Sequence, residues 1–465
     1  MLLLILERAL GFLTTPFGVL SVVLMILILA GLWTLHRPGY LPPGPPGYPF
    51  IGNMLDMADN AHLSLTAHSK QYGDMFSIKL GTLDIVMLNS IGVVKEALVK
   101  KQDAFADRPS FFTGDIFSEG RRNISNGEYN PTWKCLRKYA HQGIRHFAKP
   151  DQVERYIHEE TFPQIREFIE NKDGRPFDPK PLVMLMVANV ICGMCFGTKY
   201  SLEDPELLYI LKLIKELTAA TGNGFAADFA PVLQYVPSPA IRNFKRICQE
   251  WVMFIQDKVD EHRKDFKPAA LDQTRHAIDW AIVYLVHFPD VQAKVHQEID
   301  EQIGVDSLPK ICDKDRLPFC QAVIMELMRV RTVVPLSLPL KTTCATTLGG
   351  FELPKGTVVW PNLWALHMDE REWDKPEEFH PERFLNDEGN LKPKPESYLP
   401  FSAGRRGCLG EALVKDELFL MFTCLLQQFV FTVPPGAEKP SLVPYCEAFN
   451  LRCQKYEVIG RKRNK

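Results

Sequence analysis

The sequence lacks an excess of either charge. Its 465 residues include 54 Lys and Arg against 56 Asp and Glu, for a formal net charge of −2, and no basic block stands out along the chain. Proteins that bind nucleic acid hold the phosphate backbone with clustered Lys and Arg side chains. The balanced charge therefore predicts that nucleic acid is not a partner.

Cysteine pairs at the spacing of a zinc site are also missing. The 11 cysteines are odd in number and scattered, which is typical of a reducing compartment where most thiols pack in the core. The segment "CGMC", Cys192 to Cys195, has the spacing of a redox motif, but it lies in the apolar stretch "MLMVANVICGMCFG". We predict a buried helix there.

The N-terminal segment has no charged residue from Ala9 to Leu35. As a helix, "FGVLSVVLMILILAGLWTL" covers ~30 Å, the thickness of the hydrocarbon core of a bilayer. A cleaved signal peptide, the alternative, requires a shorter apolar stretch and an Ala-x-Ala-like exit, and "GLWTLHRPG" has neither. We therefore expect residues 1–36 to form an uncleaved membrane anchor, and His36 and Arg37 favour a cytosolic position for the rest of the chain.

A proline-rich segment follows the anchor. Six prolines lie between Pro38 and Pro49, so residues 37–52 cannot form a helix and are expected to be a semi-rigid hinge. Residues 53–465 show no repeat and no interior linker. We expect them to form one large, mainly α-helical domain with small β-sheets.

Helical periodicity dominates this domain. "PDVQAKVHQEIDEQIG" places Pro289 in a first turn and apolar side chains at four-residue steps, and "LPFCQAVIMELMRVR" predicts a helix that must end before Pro335. "GEALVKDELFLMFTCLLQQF" predicts a long apolar helix. The short segments "FSIKLGTLDIVML" and "TTLGGFELPKGTVVW" predict strands, the second with a turn at Gly349 and Gly350.

The segment "FSAGRRGCLG" contains the pattern F-x-x-G-x-R-x-C-x-G, formed by Phe401, Gly404, Arg406, Cys408 and Gly410. A thiolate that ligates a metal needs a low pKa, which the N-terminus of the following helix and the neighbouring arginines favour. Gly404 allows a turn that is closed to residues with a Cβ, and Gly410 lets the backbone approach a flat macrocycle. A buried cysteine in a glycine-rich turn is the alternative. The five positions together favour a ligand to haem iron, with Arg406 placed to bind a haem propionate.

This loop resembles the haem-binding signature of the cytochrome P-450 monooxygenases, and the resemblance covers essentially the whole chain. "ELMR" provides Glu326 and Arg329, and "PERF" provides Arg383. In this family such a Glu and two Arg residues form a buried structural network. "WKCLR" resembles the helix whose Trp and Arg hold a propionate, here Trp133 and Arg137, although Trp133 as an ordinary core residue is the alternative.

The resemblance implies an enzyme that holds haem b through Cys408 and inserts one oxygen atom of dioxygen into a lipophilic substrate. The thiolate favours O–O cleavage, while the protein positions the substrate. Electrons would come from NADPH through a flavin reductase on the endoplasmic reticulum membrane, with the domain facing the cytosol. Basic residues on the face near the cysteine are candidates for docking this reductase: Lys134, Lys138, Arg145 and Lys415.

The body of the chain resembles the microsomal branch that contains aryl-hydrocarbon oxidising enzymes and steroid 17-hydroxylases. "RPSFFTGDIFSEG", "DFAPVLQYVPSP" and "NLWALHMDEREWDKPEEFHPERF" carry this likeness. The second of these, together with "TGNGFAADFA", is apolar and aromatic, which suits a flat lipophilic substrate reached from the bilayer. The substrate class is therefore expected to be a steroid or a polycyclic aromatic compound.

One segment departs from the family pattern. The central helix of the family carries A-G-x-[D/E]-T-[T/S], whose acid and hydroxyl relay protons to bound oxygen. Here Asp272 is the acid, Gln273 takes the threonine position, and Thr274 follows one residue later, ~100° around a helix. A stretch that relatives have before this motif is missing after residue 267. In addition, Leu340 stands where relatives usually place a His or Arg near a propionate.

Two hypotheses follow. The first is a membrane-anchored haem-thiolate monooxygenase in which Asp272, Gln273 and Thr274 occupy the position of the proton relay. The second is a haem-binding or membrane-tethered variant without monooxygenase activity, because the missing stretch removes part of the core and of the substrate wall.

Overall fold

The computed structural model describes residues 15–57, 60–196, 200–201, 203–221, 226–261, 273–305, 307–447 and 450–463. Over these residues the chain is mainly α-helical, with small β-sheets. This observation confirms the predicted fold class.

The helices follow one another from the N-terminus to a long helix near the C-terminus. In chain order they are α1 (Pro16–Leu35), α2 (Ala61–Tyr72), α3 (Ile91–Lys95), α4 (Phe112–Phe117), α5 (Pro131–Phe147), α6 (Pro150–Arg155), α7 (Phe162–Asn171), α8 (Lys180–Phe196), α9 (Pro205–Thr221), α10 (Ala226–Phe229), α11 (Pro239–Glu261), α12 (Gln273–His287), α13 (Pro289–Gln302), α14 (Pro318–Val330), α15 (Leu363–His367) and α16 (Glu411–Gln428). Single π-helical turns extend α3 (Glu96–Lys100) and join α6 to α7 (Tyr156–Thr161).

The strands are short. In chain order they are β1 (Met75–Leu80), β2 (Leu83–Leu88), β3 (Leu340–Lys341), β4 (Thr346–Leu348), β5 (Phe351–Leu353), β6 (Val358–Pro361), β7 (Phe429–Thr432), β8 (Tyr445–Glu447), β9 (Asn450–Arg452) and β10 (Ile459–Lys462). One sheet has the order β1-β2-β6-β3, and three two-stranded pairs are β10-β7, β4-β5 and β8-β9.

Several elements follow directly from the sequence pattern. α13 begins at Pro289, which needs no N–H in a first turn, and buries Val291, Val295 and Ile299 on one face. The turn between β4 and β5 contains Gly349 and Gly350, with φ of 55° and 85°. Two successive positive φ angles fit the right-handed twist of a tight hairpin, which explains the pair of glycines.

The main core lies where α8, α12, α14 and α16 meet, and their buried apolar side chains form one cluster. Trp280 of α12 is 1% exposed, and its indole N–H donates to the carbonyl oxygen of Leu451 at 3.1 Å. α16 lies in this core directly after the loop that contains Cys408. The helix that follows the cysteine is therefore held rigidly.

The CGMC segment lies at the end of α8. Cys192 is completely buried, and burial raises the pKa of its thiol to about 12, so it is not a reactive group. The side chain of Cys195 lies outside the described residues.

The proline-rich hinge is fastened to the first sheet. The Arg37 guanidinium donates to the carbonyl oxygens of Gly44 and Pro45, both at 2.9 Å, and the Ser77 hydroxyl of β1 donates to the Pro42 carbonyl at 2.6 Å. A Cβ on Gly44 would lie 1.9 Å from the carbonyl oxygen of Ser77, so only glycine fits there. Within the described part of the chain, no helix combines the length and the apolar character needed to cross a membrane.

Candidate functional site

Cys408 lies in a tight loop between the 3₁₀ turn Gly404–Arg406 and the first turn of α16. Its backbone N–H donates to the carbonyl oxygen of Phe401 at 3.0 Å, which closes the loop. Its thiol is exposed towards a cavity of ≈ 480 Å³ that lies between the loop and α5. The loop therefore presents the sulfur towards open space.

Gly404 is required by this loop. Its φ is 72°, and a Cβ added there would lie 1.9 Å from the carbonyl oxygen of Leu98. At Gly410 a Cβ would meet no atom within 4 Å in the protein alone. The geometry thus gives a direct reason for the first glycine, whereas the second is unconstrained by protein atoms.

The thiol of Cys408 differs from expectation in its acidity. Although the thiol is open to the cavity, desolvation by the neighbouring protein atoms raises the pKa of the Cys408 thiol, and the Gly410 and Glu411 backbone N–H groups oppose this only in part. The cation that lowers this pKa is Arg137. Arg405 instead pairs with Asp103 at 3.1 Å. The predicted low pKa is therefore not a property of the protein alone.

Three guanidinium groups cluster beside the cysteine loop. Arg406 donates to the carbonyl oxygens of Ala106, Ile124 and Gly127 at 2.6, 3.2 and 2.6 Å. Arg137 donates to the carbonyl oxygen of Gly407, at 2.6 Å, and Arg108 to those of Ser125, Leu338 and Pro339. These neutral acceptors hold the side chains in place without cancelling their charge.

Repulsion among these guanidinium groups is unfavourable unless an anion is bound beside them. Burial and the charges of Arg406 and Arg137 lower the pKa of Arg108 to about 9, and burial with the charges of Arg137 and Arg121 lowers the pKa of Arg406 to about 10. A guanidinium keeps its proton at neutral pH even so. Arg108 is buried, Arg137 and Arg406 are half-buried, and the charge of Asp107 offsets part of this positive charge. An anionic carboxylate would stabilise the cluster further.

Trp133 is placed among these arginines. Its ring lies 3.8 Å below the Arg406 guanidinium carbon and 5.5 Å from that of Arg137, and its indole N–H donates to the Ile124 carbonyl oxygen at 2.8 Å. The side-chain oxygen of Asn130 caps α5 by accepting from the Trp133 N–H at 2.8 Å. The ring thus orients both arginines, as a residue that organises a binding site would.

The donor set fits a haem. A sulfur that is open to a cavity can ligate iron, and arginines beside it that bond only backbone carbonyl oxygens can hold two propionates. Of the residues that sequence reasoning assigned to haem, the structure brings Trp133, Arg137, Arg406 and Cys408 together. Phe401 lies at the closure of the loop, under the ammonium of Lys415 at 5.4 Å from the ring centre.

Glu326, Arg329 and Arg383 also meet. The Glu326 carboxylate, 0% exposed, accepts two hydrogen bonds from Arg329 at 2.8 Å and one from Arg383 at 3.0 Å. Arg329 also donates to the carbonyl oxygens of His367 and Pro376. This network ties α14 to the segment that leads into the cysteine loop.

The start of the central helix is described in part. Asp272 lies outside the described residues, and Gln273 begins α12 without a described side chain. Thr274 is 3% exposed, and its hydroxyl lies 3.4 Å from Oε2 of Glu417 on α16. Thr274 is therefore directed towards α16, one residue after the position of the family hydroxyl.

Leu340 is buried in β3, and Lys341 points away from it to pair with Asp107 at 3.1 Å. This agrees with the alternation of side chains along a strand. Lys341 therefore does not replace the cation that relatives usually place at 340.

Basic residues line the rim of the cavity at Cys408. Lys134 and Lys138 of α5 line it together with His141 and Arg405. Arg145 is exposed on the same helix, and Lys415 pairs with Glu411 on α16. Three of the four predicted docking residues thus lie on one helix beside the cysteine.

Sequence reasoning missed Arg108 and Glu417. Arg108 is 7% exposed in the segment "ADRPS", and a basic residue that precedes proline after an apolar run was a weak signal. Glu417 is an acid inside the apolar stretch "DELFLMF" of α16. A lone charge on the buried side of a helix was the signal there.

Comparisons with known proteins identify the family of the chain. The family model described as Cytochrome P450 matches residues 42–276 and 265–458. The chain is 34% identical over 476 residues to cytochrome P450 1A1 of Rattus norvegicus, covering 90% of each protein. It is 34% identical over 489 residues to steroid 17-alpha-hydroxylase/17,20 lyase of Ictalurus punctatus, covering 94% of this chain and 95% of that protein.

A solved structure matches as well. The zebra fish cytochrome P450 structure with progesterone has a TM-score of 0.77 and 30% sequence identity, and the match covers 87% of this chain and 99% of that chain. The resemblance that the cysteine loop indicated is therefore confirmed at the level of sequence and of fold. The chain belongs to the cytochrome P450 family, whose members are monooxygenases that use haem b.

Proposed function

We propose that this chain is a membrane-anchored monooxygenase that hydroxylates a flat lipophilic molecule of the steroid or polycyclic aromatic class. The observation that carries the proposal is the Cys408 loop, whose sulfur opens into a cavity beside three guanidinium groups. The substrate class is supported by the relatives, which include a steroid 17-alpha-hydroxylase and a structure named with progesterone.

Haem b, when bound, activates dioxygen for transfer of one oxygen atom to the substrate. In our proposal Cys408 holds its iron, and Arg108, Arg137 and Arg406 hold its propionates. Trp133 keeps two of these arginines in place, and Gly404 permits the loop. The Glu326 network fixes the segment before the loop, so that the position of the sulfur is set by the core.

Asp272, Gln273 and Thr274 stand where the family delivers protons. A glutamine side chain donates and accepts hydrogen bonds but exchanges protons poorly. We therefore propose that this chain couples oxygen consumption to product formation less tightly than a chain with a hydroxyl at 273. Replacement Gln273→Thr should increase the fraction of consumed oxygen that appears in product.

The redox partner we propose is an NADPH-dependent flavin reductase. Lys134, Lys138 and Arg145 form a basic face on α5 next to the cysteine, which would attract an acidic surface. The electron path to Cys408 would then be short.

The location we propose is the endoplasmic reticulum membrane, with a single anchor in residues 1–36 and the domain in the cytosol. Apolar side chains of α1 are largely exposed, for example that of Leu24 at 57%. Val232 and Tyr235 are also exposed, at 71% and 86%, in the 3₁₀ turn Pro231–Tyr235. Contact of both surfaces with lipid would bury this apolar area and bring the substrate from the bilayer.

A second candidate is a haem-binding variant without turnover. The observation that favours it is the break in the family match, whose two segments meet at residues 265–276. This is the position at which the sequence predicts a missing stretch.

Spectroscopy and turnover separate the candidates. A reduced, carbon-monoxide-treated sample should show the red-shifted Soret band of thiolate ligation, and Cys408→Ser should abolish it. Product formation from NADPH with added reductase would then establish the enzyme. A thiolate band without any product would favour the second candidate, and absence of the band would contradict both.

A further inference from the structure

Ser125 lies in a turn beside the guanidinium cluster, and the haem site assigns no role to its side chain. The residue is exposed. The turn is closed around it by the backbone N–H groups of Asn126 and Gly127, which donate to the side-chain and main-chain oxygens of Asn123 at 2.8 and 2.9 Å. The fold therefore presents this serine on the protein surface at a fixed position.

The carbonyl oxygens of four successive residues in this turn accept hydrogen bonds from arginines. Arg108 donates to the carbonyl oxygen of Ser125 at 3.0 Å, and Arg121 donates to that of the next residue at 3.3 Å. Arg406 donates to the carbonyl oxygens at 124 and 127, at 3.2 and 2.6 Å. Three guanidinium groups therefore lie around the backbone of Ser125, and two of them are the proposed partners of the haem propionates.

The residues before Ser125 form a charge pattern that protein kinases select. Kinases with an acidic substrate groove recognise an arginine that stands three positions before the serine or threonine. Two residues of the sequence have an arginine at this spacing, namely Ser125 after Arg122 and Thr332 after Arg329. Thr332 is 1% exposed, whereas Ser125 and Arg122 are both exposed. A kinase can therefore reach Ser125 without unfolding the core.

The backbone before the turn is strained. Glu119 and Arg121 have φ of 48° and 67°, in the left-handed region that residues with a Cβ avoid. Extension of this segment in the groove of a kinase would release that strain. The local backbone thus favours access to Ser125 as well.

We propose that Ser125 is a phosphorylation site that controls how tightly the chain holds haem. A phosphoserine carries about −2 charge at neutral pH and three acceptor oxygens. These oxygens would compete with the propionates for Arg108 and Arg406, and the negative charge would repel the propionates. The inference rests on the proposed haem site and therefore on the proposed function.

The chemical step is a phosphoryl transfer from ATP, the co-substrate of protein kinases. The bond between the γ-phosphorus and the bridging oxygen breaks, and a bond between that phosphorus and Oγ of Ser125 forms. The hydroxyl proton passes to the catalytic aspartate of the kinase, and ADP leaves with the electron pair of the broken bond. ATP is present in the cytosol, where we propose that the domain lies.

The first experiment tests the modification on the full haem-loaded chain in detergent. The probe is calcium/calmodulin-dependent protein kinase II with Mg-ATP, a purified kinase that selects arginine three residues before serine. Tandem mass spectrometry should locate phosphate on Ser125. Arg122→Gln should slow this labelling about tenfold, because one charged hydrogen bond to the kinase is lost. Arg242→Gln, which removes an exposed arginine of α11, should leave the rate unchanged.

Transfer of haem to apomyoglobin measures the consequence without an activity assay. The phosphorylated chain should lose haem about tenfold faster than the unmodified chain, the effect of one hydrogen bond to a charged group. Treatment with phosphatase should restore the slow rate. Ser125→Asp should show a smaller increase, because it carries a single charge. Ser125→Asn and Ser441→Asp, at another exposed serine, should transfer haem at the wild-type rate.

The outcomes separate this inference from the proposed function. Absence of phosphate from Ser125, or equal labelling of the wild type and Arg122→Gln, overturns the kinase site and leaves the monooxygenase standing. A phosphorylated chain that loses haem at the unmodified rate overturns the control of haem binding. A wild type without the thiolate spectrum overturns the proposed function and the control of haem binding together.

Discussion

At the scale of single residues, two charged side chains stand out by their burial. Glu417 and Arg108 are both ionisable side chains that the fold has removed from water. The sequence did indicate Cys408, because five chemically specific positions coincide in one loop. It did not indicate Arg108 or Glu417, because burial of a single charged residue is a tertiary property with no local pattern.

Glu417 makes the stability of the protein depend on pH. Its pKa is about 8 in the folded chain against 4.5 as the ordinary value. The folded state therefore binds a proton that the unfolded state releases between these values, and stability falls as pH rises through this range. The loss between pH 5 and pH 7 is about 3 kcal/mol.

Urea unfolding of the detergent-solubilised chain at pH 5, 6 and 7 measures this effect. The free energy of unfolding of Glu417→Gln should not show this pH dependence. The variant should therefore become more stable relative to the wild type as pH rises. Asp416→Asn, an adjacent carboxylate paired with Lys314, should retain it. The same pH dependence of the free energy of unfolding in the wild type and in Glu417→Gln would contradict the raised pKa of Glu417.

In the proposed haem site, Leu340 would leave the arginines with one donor fewer than the family resemblance implies. It is buried beside Pro339, whose carbonyl oxygen accepts from Arg108 at 2.8 Å. Leu340→His should slow transfer of haem to apomyoglobin about tenfold, the effect of one hydrogen bond to a charged group at about 1.5 kcal/mol. Leu338→His, at a neighbouring position that is 47% exposed, should change nothing. Equal rates for the wild type and Leu340→His would contradict this placement.

At the scale of elements, the cysteine loop is shaped by two supports. A left-handed turn at Gly404 brings it against Leu98 in the π-helical turn Glu96–Lys100, and the Glu326 network fixes the segment that precedes it. Periodicity predicted α13, α14 and α16 and the β4-β5 turn. It could not predict the two π-helical turns, because their extra residue is set by packing against other elements.

Gly404→Ala tests the first support. The new Cβ would lie 1.9 Å from a carbonyl oxygen, and the φ of 72° adds strain. We expect loss of most of the carbon-monoxide-binding pigment. Gly407→Ala is the control in the same loop, because its φ is −54° and its Cβ would be 3.4 Å from the nearest atoms. Equal pigment in the two variants would show that the close approach is not limiting.

Glu326→Gln tests the second support. It leaves the buried Arg329 without its counter-charge, which costs about 3–5 kcal/mol. We expect little folded, haem-loaded protein, measured as the ratio of pigment to total chain. Glu382→Gln removes the acid of a more exposed pair, with Lys294, and should cost no more than about 1 kcal/mol. Similar yields for both variants would show that the Glu326 network does not contribute to the stability of the fold.

At the scale of the whole molecule, the surface proposed for electron delivery and the surface proposed for substrate entry are different. Electrons would arrive at the basic face of α5, and substrate would arrive from the apolar surfaces near the hinge. The sequence predicted the mainly helical class and the order of motifs, because these depend on local periodicity and spacing. It could not predict that guanidinium groups from three separate segments meet beside the cysteine loop.

Charge reversal on α5 tests the proposed docking of the flavin reductase. The double variant Lys134→Glu and Lys138→Glu should slow reduction by the flavin reductase at least about tenfold at low salt, because electrostatic steering of association is lost. The difference should shrink as salt increases. Chemical reduction should give an unchanged carbon monoxide spectrum. Lys355→Glu, an exposed charge that does not line the cavity, is the control, and an equal effect of both would contradict a specific docking face.

The sparse packing of α5 has a consequence for the life of the chain in a cell. Among its described side chains only that of Trp133 is buried. Few apolar contacts therefore hold this helix against the rest of the protein. Segments with few buried contacts open without global unfolding, and proteases cleave at such openings. Binding of haem beside α5 would thus reduce this local opening. Newly made chains without haem should therefore be degraded by proteases faster than chains that contain it.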